Sequence, residues 1–161
     1  MEEKIHIISL LVNNKPDVLA RVSGTLGGRG YNIESLCVNV TANPEMSRIV
    51  LTTTGDKPTI TKIKKQLDKL IDVYQVSDLT EVNSVQRELV LIRMKVTEEN
   101  KSKITETIDT FKFRVIIMEP DYCILEVTGT PGKMENALAH LKPMGIEDIA
   151  RTGTIALKRK E

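Results

Sequence analysis

The chain has 161 residues, of which 40% are hydrophobic and 28% charged, and its formal net charge is +1. This composition is typical of a globular protein, and the near-neutral charge argues against a dedicated nucleic-acid binder, which would need a strongly basic face. No apolar run approaches the ~20 residues that span a bilayer. Cys37 and Cys123 stand apart in apolar segments, which predicts free thiols in a reducing cytoplasm and no zinc site.

In chain order, hydrophobic periodicity predicts strand, helix, strand, strand, helix and strand in the first half. The strands are expected at 5–12, 32–41, 47–53 and 73–80, and the helices at 14–27 and 58–71. Asn14 is the expected N-cap of the first helix, with Asp17 three residues on as in a capping box. The glycine-rich segment 24–30 follows that helix instead of opening one, which indicates a helix stop and not a phosphate-binding loop.

The second half repeats this order. Strands are expected at 88–96, 113–118, 122–128 and 146–150, helices at 98–110 and 131–141, and a short extra strand at 154–158. Thr130 and Pro131 are expected to open the helix at 131–141. The sequence therefore predicts an α+β protein with two ferredoxin-like βαββαβ sandwiches in tandem, as domains 1–81 and 87–161.

The sequence contains no recognisable catalytic constellation. His6 and His140 are isolated, with no carboxylate or nucleophile at a recognised spacing, and Glu98 and Glu99 are expected on a solvated helix start. RNA binding by a ferredoxin-like unit requires aromatic side chains on the central strands, and the first unit has none there. No catalytic or metal-binding residue is predicted.

Two segments of the first unit favour ligand binding and self-association. The helix start near Asn14 leaves backbone N–H groups that suit a small carboxylate ligand. The second strand, 32–40, is expected at the edge of the sheet with only one charge nearby, Glu34. An exposed edge of that kind invites pairing with another strand. We therefore expect a homodimer in which the start of this strand lies near the partner's loop 13–17.

Several strings of residues carry a family resemblance. They are LLVNNKPDVLARV at 10–22, RGYNIESL at 29–36, SRIVLTT at 47–53 and QLDKLIDVYQVSDL at 66–79. The first unit resembles an ACT domain, the ligand-binding module of many amino-acid-regulated proteins. With QREL at 86–89, TGTPGKM at 128–134 and IARTGTIAL at 149–157, nearly the whole chain resembles the regulatory small subunits of acetolactate synthase, also called acetohydroxyacid synthase.

The resemblance implies a non-catalytic, cytoplasmic subunit of valine, isoleucine and leucine biosynthesis. Its partner would be a large subunit that condenses two pyruvates, or pyruvate and 2-oxobutyrate. The small subunit would stimulate that enzyme and confer feedback inhibition by a branched-chain amino acid, usually valine. Thiamine diphosphate, Mg²⁺ and FAD are expected in the large subunit, and no cofactor or metal is expected in this one.

The resemblance also implies where the effector binds, namely between two ACT units of a dimer. Asn14 matches a loop asparagine of the family, Val18 would lie by the effector's apolar side chain, and Asn32 and Ile33 match an Asn-Ile pair that opens the second strand. Asp17 stands where the family commonly has glycine. A glycine at this position lets the ligand and the backbone approach closely. The Asp17 carboxylate is expected to weaken or alter valine binding, unless it turns outward or receives the ligand's ammonium group.

Two other functions are compatible with the predicted fold. A free-standing amino-acid-sensing ACT protein could control a different partner. A small ferredoxin-like enzyme such as an acylphosphatase would need an arginine in its anion-binding loop, and the loop 13–17 contains none.

Overall fold

The structure, a computed structural model, describes residues 4–160 and divides into two compact units. The first unit comprises the chain up to Val85 together with the segment from Gly153 onward, and the second comprises Gln86–Thr152. The predicted domain ranges 1–81 and 87–161 differ from this division in the C-terminal segment, and residues 1–3 and 161 lie outside the described part. No helix in the described part is long and apolar enough to cross a membrane.

The first unit has the predicted βαββαβ order. Its elements are β1 (Lys4–Asn13), α1 (Val18–Gly27), β2 (Ser35–Val40), β3 (Met46–Gly55), α2 (Lys57–Leu67) and β4 (Val73–Asp78). The antiparallel sheet has the order β2-β3-β1-β4, which confirms the ferredoxin-like fold and places β2 at an edge.

Alternating apolar residues of the central strands face both helices. Ile8 and Leu10 of β1 and Leu51 of β3 are fully buried in one cluster with Val22 of α1 and Ile63 of α2. The periodicity of 2 in strands and 3.6 in helices brings these positions to one interface.

The glycine-rich segment after α1 is a helix stop, as predicted. Gly28 is the C-cap residue, and its N–H donates to the carbonyl of Gly24 over 2.9 Å. Gly30 has φ of 75°, a left-handed conformation that glycine adopts without steric cost.

The second unit repeats the order. It contains β5 (Ser84–Lys95), α3 (Lys101–Phe111), β6 (Arg114–Met118), β7 (Tyr122–Gly129), α4 (Pro131–Leu141), a short 3₁₀ turn (Lys142–Met144) and β8 (Ile146–Arg151). Its antiparallel strands have the order β6-β7-β5-β8, so the tandem ferredoxin-like prediction is confirmed.

The helix starts of the second unit agree only in part with the sequence. Thr130 caps α4 as predicted, since its hydroxyl accepts the N–H of Lys133 over 3.3 Å. The helix predicted from residue 98 begins instead at Lys101, because residues 98–100 form a turn in which Asn100 accepts the N–H of Thr97 over 2.8 Å. Glu98 and Glu99 therefore precede the helix.

The last strand packs on the first unit. β9 (Ile155–Lys158) belongs to the first unit, where the N–H of Arg159 donates to the carbonyl of Asn83 over 2.8 Å. Ala156 forms a buried cluster with Ile7, Val50 and Leu79. These partners lie on the sheet face opposite to that of Ile8 and Leu51, so the C-terminal segment covers the back of the first sheet.

Candidate functional site

The loop between β1 and α1 is anchored differently from the capping scheme predicted. Asn14 is not the N-cap of α1. Its backbone N–H donates to the carbonyl of Glu45 over 2.8 Å, and its side-chain Nδ2 donates to the carbonyl of Pro44 over 2.9 Å. The Asn14 side chain therefore ties the loop to the turn between β2 and β3. The cap prediction is wrong because a turn at residues 16–17 delays the helix until Val18.

Asp17 immediately precedes α1, but its side chain accepts no backbone hydrogen bond from the helix. The carboxylate is half exposed and pairs with Arg21 one helical turn later. The predicted capping box is thus absent. The N–H of Val18 already donates to the carbonyl of Lys15 over 3.3 Å. Because Asp17 does not cap the backbone N–H groups of the next two residues, those donors suit an incoming carboxylate.

Asp72, just before β4, organises this loop and was not singled out from the sequence. The residue is 7% exposed. Its carboxylate accepts hydrogen bonds from Asn13 Nδ2 at 2.8 Å, Arg21 Nη1 at 3.0 Å and Lys15 Nζ at 3.3 Å. Its backbone carbonyl also accepts the N–H of Asn13 over 2.9 Å. One buried carboxylate therefore holds the end of β1, the loop and α1 together.

This network lowers the pKa of Asp72. The hydrogen bond from Asn13 is the largest cause; burial opposes it, and the hydrogen bond and charge of Lys15 and the charge of Arg21 add to the lowering. The Asp72 carboxylate is therefore ionised at neutral pH. No local pattern could have identified it, since Asn13 and Asp72 are 59 residues apart in the chain.

The other predicted residues lie before β2 or in the core. The side chain of Asn32 donates to Glu34 Oε1 over 2.9 Å, and its carbonyl accepts from Thr53 Oγ1 over 2.6 Å. Ile33 is half-buried against the first-unit core. Val18 is 3% exposed in the same core, a position that favours fixing the start of α1 over direct contact with a ligand.

A single chain does not bring the predicted residues together. Asn13, beside Asn14, pairs with Met46 at one end of β3, whereas Asn32 is bonded to Thr53 near the other end. These two points are seven residue steps apart along β3, which corresponds to about 23 Å.

The edge strand β2 runs between these two ends. Ser35 of β2 pairs with Thr52 and Val40 pairs with Ser47. Antiparallel pairing of two β2 strands would therefore bring the Asn32 end of one chain to the Asn14 end of the other. Leu36 and Val40, 37% and 56% exposed, lie along this edge.

Two family models match the chain. Residues 8–75 match the model described as an AHAS small subunit-like ACT domain, and residues 87–160 match the small subunit of acetolactate synthase. The chain is 38% identical over 159 residues to an acetolactate synthase small subunit of Mycobacterium bovis, covering 99% of this chain and 95% of that one. It is 39% identical over 156 residues to an acetolactate synthase small subunit of Aquifex aeolicus, covering 96% and 81%.

A solved structure is similar to this chain over nearly its whole length. The crystal structure of the acetolactate synthase small subunit from Thermotoga maritima superposes with a TM-score of 0.86 at 36% identity, covering 98% of this chain and 99% of that one.

Proposed function

The chain belongs to the family of acetolactate synthase small subunits. We propose that it stimulates the catalytic large subunit and makes that enzyme sensitive to a branched-chain amino acid. Valine is the first effector to test. Family membership makes the chain a non-catalytic regulatory subunit of an enzyme complex in branched-chain amino-acid biosynthesis. The observation that carries the effector proposal is the separation of Asn14 and Asn32 at opposite ends of β3, because such a site needs two chains.

In the proposed site, the start of α1 and its preceding loop bind the effector's carboxylate and ammonium groups. Asn14 and Asp17 belong to this half, with Val18 supporting the helix start. The partner chain supplies the other half, in which the backbone at Asn32 and the half-buried Ile33 face the effector's apolar side chain. A ligand between two chains gains affinity from both, so its binding is coupled to how the two ACT units pair.

Coupling to the large subunit requires that the effector bind two states of the complex with different affinities. We propose that the large subunit carries thiamine diphosphate, Mg²⁺ and FAD and performs the whole reaction, in the cytoplasm, where Cys37 and Cys123 stay reduced.

The direct test is reconstitution with an acetolactate synthase large subunit from the same organism. Acetolactate formation should rise when the chain is added and fall when valine is then added, while the chain alone should form none. Valine binding without co-purification of the large subunit, and without stimulation, would instead favour the free-standing amino-acid sensor.

Asn14→Ala should separate the two proposed activities. Losing the hydrogen bond to Pro44 frees the loop that receives the effector, so valine inhibition should require at least about tenfold more valine. Stimulation by the variant should stay within twofold of the wild type. Asn136→Ala makes the same change at an exposed position of α4 and is the control. Equal loss of stimulation and of valine inhibition in Asn14→Ala would refute the proposal that the two activities use separate surfaces.

Asp17→Gly should tighten valine binding, because it removes a negative charge beside the ligand's carboxylate. Arg21 already pairs with Asp17, so the gain should not exceed about 1 kcal/mol, the scale of two unit charges 4 Å apart in water. No helix cap is lost, since Asp17 makes none. Calorimetric titration of the wild type, Asp17→Asn and Asp17→Gly separates charge from close backbone approach. A wild type that binds valine as tightly as Asp17→Gly would show that the carboxylate does not disturb the site.

A further inference from the structure

The C-terminal segment from Gly153 onward belongs to the first unit, although the sequence predicts it in the second domain. Gly153 is buried there, and so are Thr154 and Ala156, which are 5% and 4% exposed. Ala156 packs against Ile7 and Val50 of the two central strands. The segment is therefore part of the packed structure of the first unit and not a loose tail.

Gly153 opens this segment in a conformation that favours glycine. Its φ is 75°, in the left-handed region that side chains rarely adopt. A Cβ atom at this position would lie 3.2 Å from the Cβ of Ser35, 3.3 Å from its Oγ and 3.6 Å from the backbone N of Leu36. Carbon atoms pack best at about 3.5–4.0 Å, so the first contact would be too close. The backbone of Gly153 therefore lies directly against the first residue of β2.

The contact with Ser35 is important because one half of the proposed effector site lies just before it. Asn32 and Ile33 precede Ser35 by three and two residues. Successive Cα atoms are joined by rigid peptide units about 3.8 Å long, so a displacement of Ser35 reaches Ile33 within two such units. The position of Ser35 therefore helps to fix where Asn32 and Ile33 lie.

β3 supplies the hydrogen bonds that hold the same stretch. Ser35 Oγ lies 2.7 Å from Thr52 Oγ1, and the N–H of Glu34 donates to the carbonyl of Thr52 over 2.8 Å. The Thr53 hydroxyl donates to the carbonyl of Asn32 over 2.6 Å. β2 is an edge strand, so β3 is its one neighbour in the sheet of this chain. The packing of Ser35 against Gly153 is thus a second restraint on the start of β2, independent of the sheet hydrogen bonds.

We propose that Gly153 is a positioning residue for the effector site, because its bare backbone seats Ser35 and Ser35 in turn fixes the start of β2. This inference rests on the proposed function. A side chain at residue 153 must displace Ser35 or the C-terminal segment by a few tenths of an ångström. Packed interiors transmit such shifts, and a binding site works only when its groups are held to within about 0.5 Å.

The test is Gly153→Ala in the full chain, with Gly145→Ala as the matched control. Gly145 also has a positive φ, 98°, but the nearest atom to a Cβ there is the Cβ of Lys95 at 3.8 Å, an ordinary van der Waals contact. Both variants carry the strain of a left-handed alanine, and Gly153→Ala additionally presses on Ser35. In calorimetric titration with valine, Gly153→Ala should bind about fivefold more weakly or worse, and Gly145→Ala should stay within about twofold of the wild type.

Ser35→Gly tests whether the contact itself produces the effect. It removes the Cβ and Oγ atoms that an alanine at residue 153 would meet. Residues in contact couple in a double-mutant cycle, so adding Gly153→Ala to Ser35→Gly should lower the valine affinity by less than about twofold. An equal loss from Gly153→Ala in both backgrounds would overturn the proposal, because strain in the C-terminal segment would then explain the loss.

A second measurement does not depend on any effector. Hydrogen–deuterium exchange of the full chain reports on the backbone at residues 32–36, which should exchange about threefold faster or more in Gly153→Ala and at the wild-type rate in Gly145→Ala. Unchanged exchange in Gly153→Ala overturns the inference even if valine binds. A wild type that does not bind valine refutes the proposed effector, and with it the role of Gly153 in effector binding, whereas faster exchange in Gly153→Ala would still show that Gly153 seats the start of β2.

Discussion

Replacing Leu36 with lysine is expected to dissociate the proposed β2-paired dimer into monomers at micromolar concentration. Leu36 lies on the edge strand β2 with 37% of its surface exposed. In a pair of chains related by a two-fold axis, each substitution places two lysines in one interface. Like charges brought together there cost several kcal/mol, so the dimer dissociation constant should rise at least about 100-fold, or roughly 2.7 kcal/mol.

Leu36 is a better test position than Val38, because Val38 packs against the core and its replacement would also unfold the unit. Tyr74→Lys is the matched control, since Tyr74 is 63% exposed on β4 at the opposite edge of the same sheet. Sedimentation equilibrium of the three proteins measures the result. A monomeric wild type, or a dimer broken only by Tyr74→Lys, would show that β2 is not the dimer edge.

Asp72→Ala is expected to weaken the proposed effector control about tenfold or more while leaving the fold intact. The change removes the shared acceptor of Asn13, Lys15 and Arg21, so the end of β1 and the start of α1 lose their common anchor. Valine affinity should fall by at least about tenfold, because hydrogen bonds to a charged group are among the strongest in proteins. The sheet itself does not depend on this side chain, so the circular dichroism spectrum should be unchanged.

Two further variants sharpen this test. Asp72→Asn keeps one acceptor oxygen and should give an intermediate affinity, whereas Asp68→Asn, an exposed position nearby, should bind valine as the wild type does. Stimulation of the large subunit should survive in all three variants. Full valine inhibition with Asp72→Ala would show that the anchor does not position the site.

Because the Asp72 carboxylate is hydrogen-bonded in the folded chain, we expect the stability of the chain to depend on pH. Because the pKa of Asp72 is lowered in the folded chain, its stabilising effect is complete above the unfolded value of about 3.9 and is lost as the pH falls through the lower folded value. Thermal unfolding measured between pH 7 and pH 3 should therefore show Asp72→Asn and the wild type converging only at the acid end of this range.

The order of the strands and helices follows from local sequence patterns. Within residues 4–160, the spacing of apolar residues predicts the nine strands and four helices with ends that differ from the observed ones by up to four residues, because period-2 and period-3.6 patterns are local properties of the chain. The glycine stop after α1 and the Thr130 cap of α4 are likewise local, and both were predicted correctly.

The prediction from local patterns is wrong at Asn14, whose side chain could form either a local or a tertiary hydrogen bond. Asn14 has the residue type of an N-cap, yet its side chain binds the carbonyl of Pro44, which lies 30 residues away. A capping preference is worth only about 1 kcal/mol, so a tertiary hydrogen bond can override it.

Which distant residues act together depends on the order of strands in the sheet and not on any local pattern. The apolar run of β1 indicated a buried strand, but it did not show that Ala156 near the C-terminus covers Ile7. Asp72 is separated from its partners by 51–59 residues. The ring nitrogen Nδ1 of buried His6 lies 3.3 Å from Asp78 and from Thr80, which are 72 and 74 residues away. A single sequence records no trace of such pairs, because each residue type is ordinary in its own segment and the sheet order alone brings the two segments together.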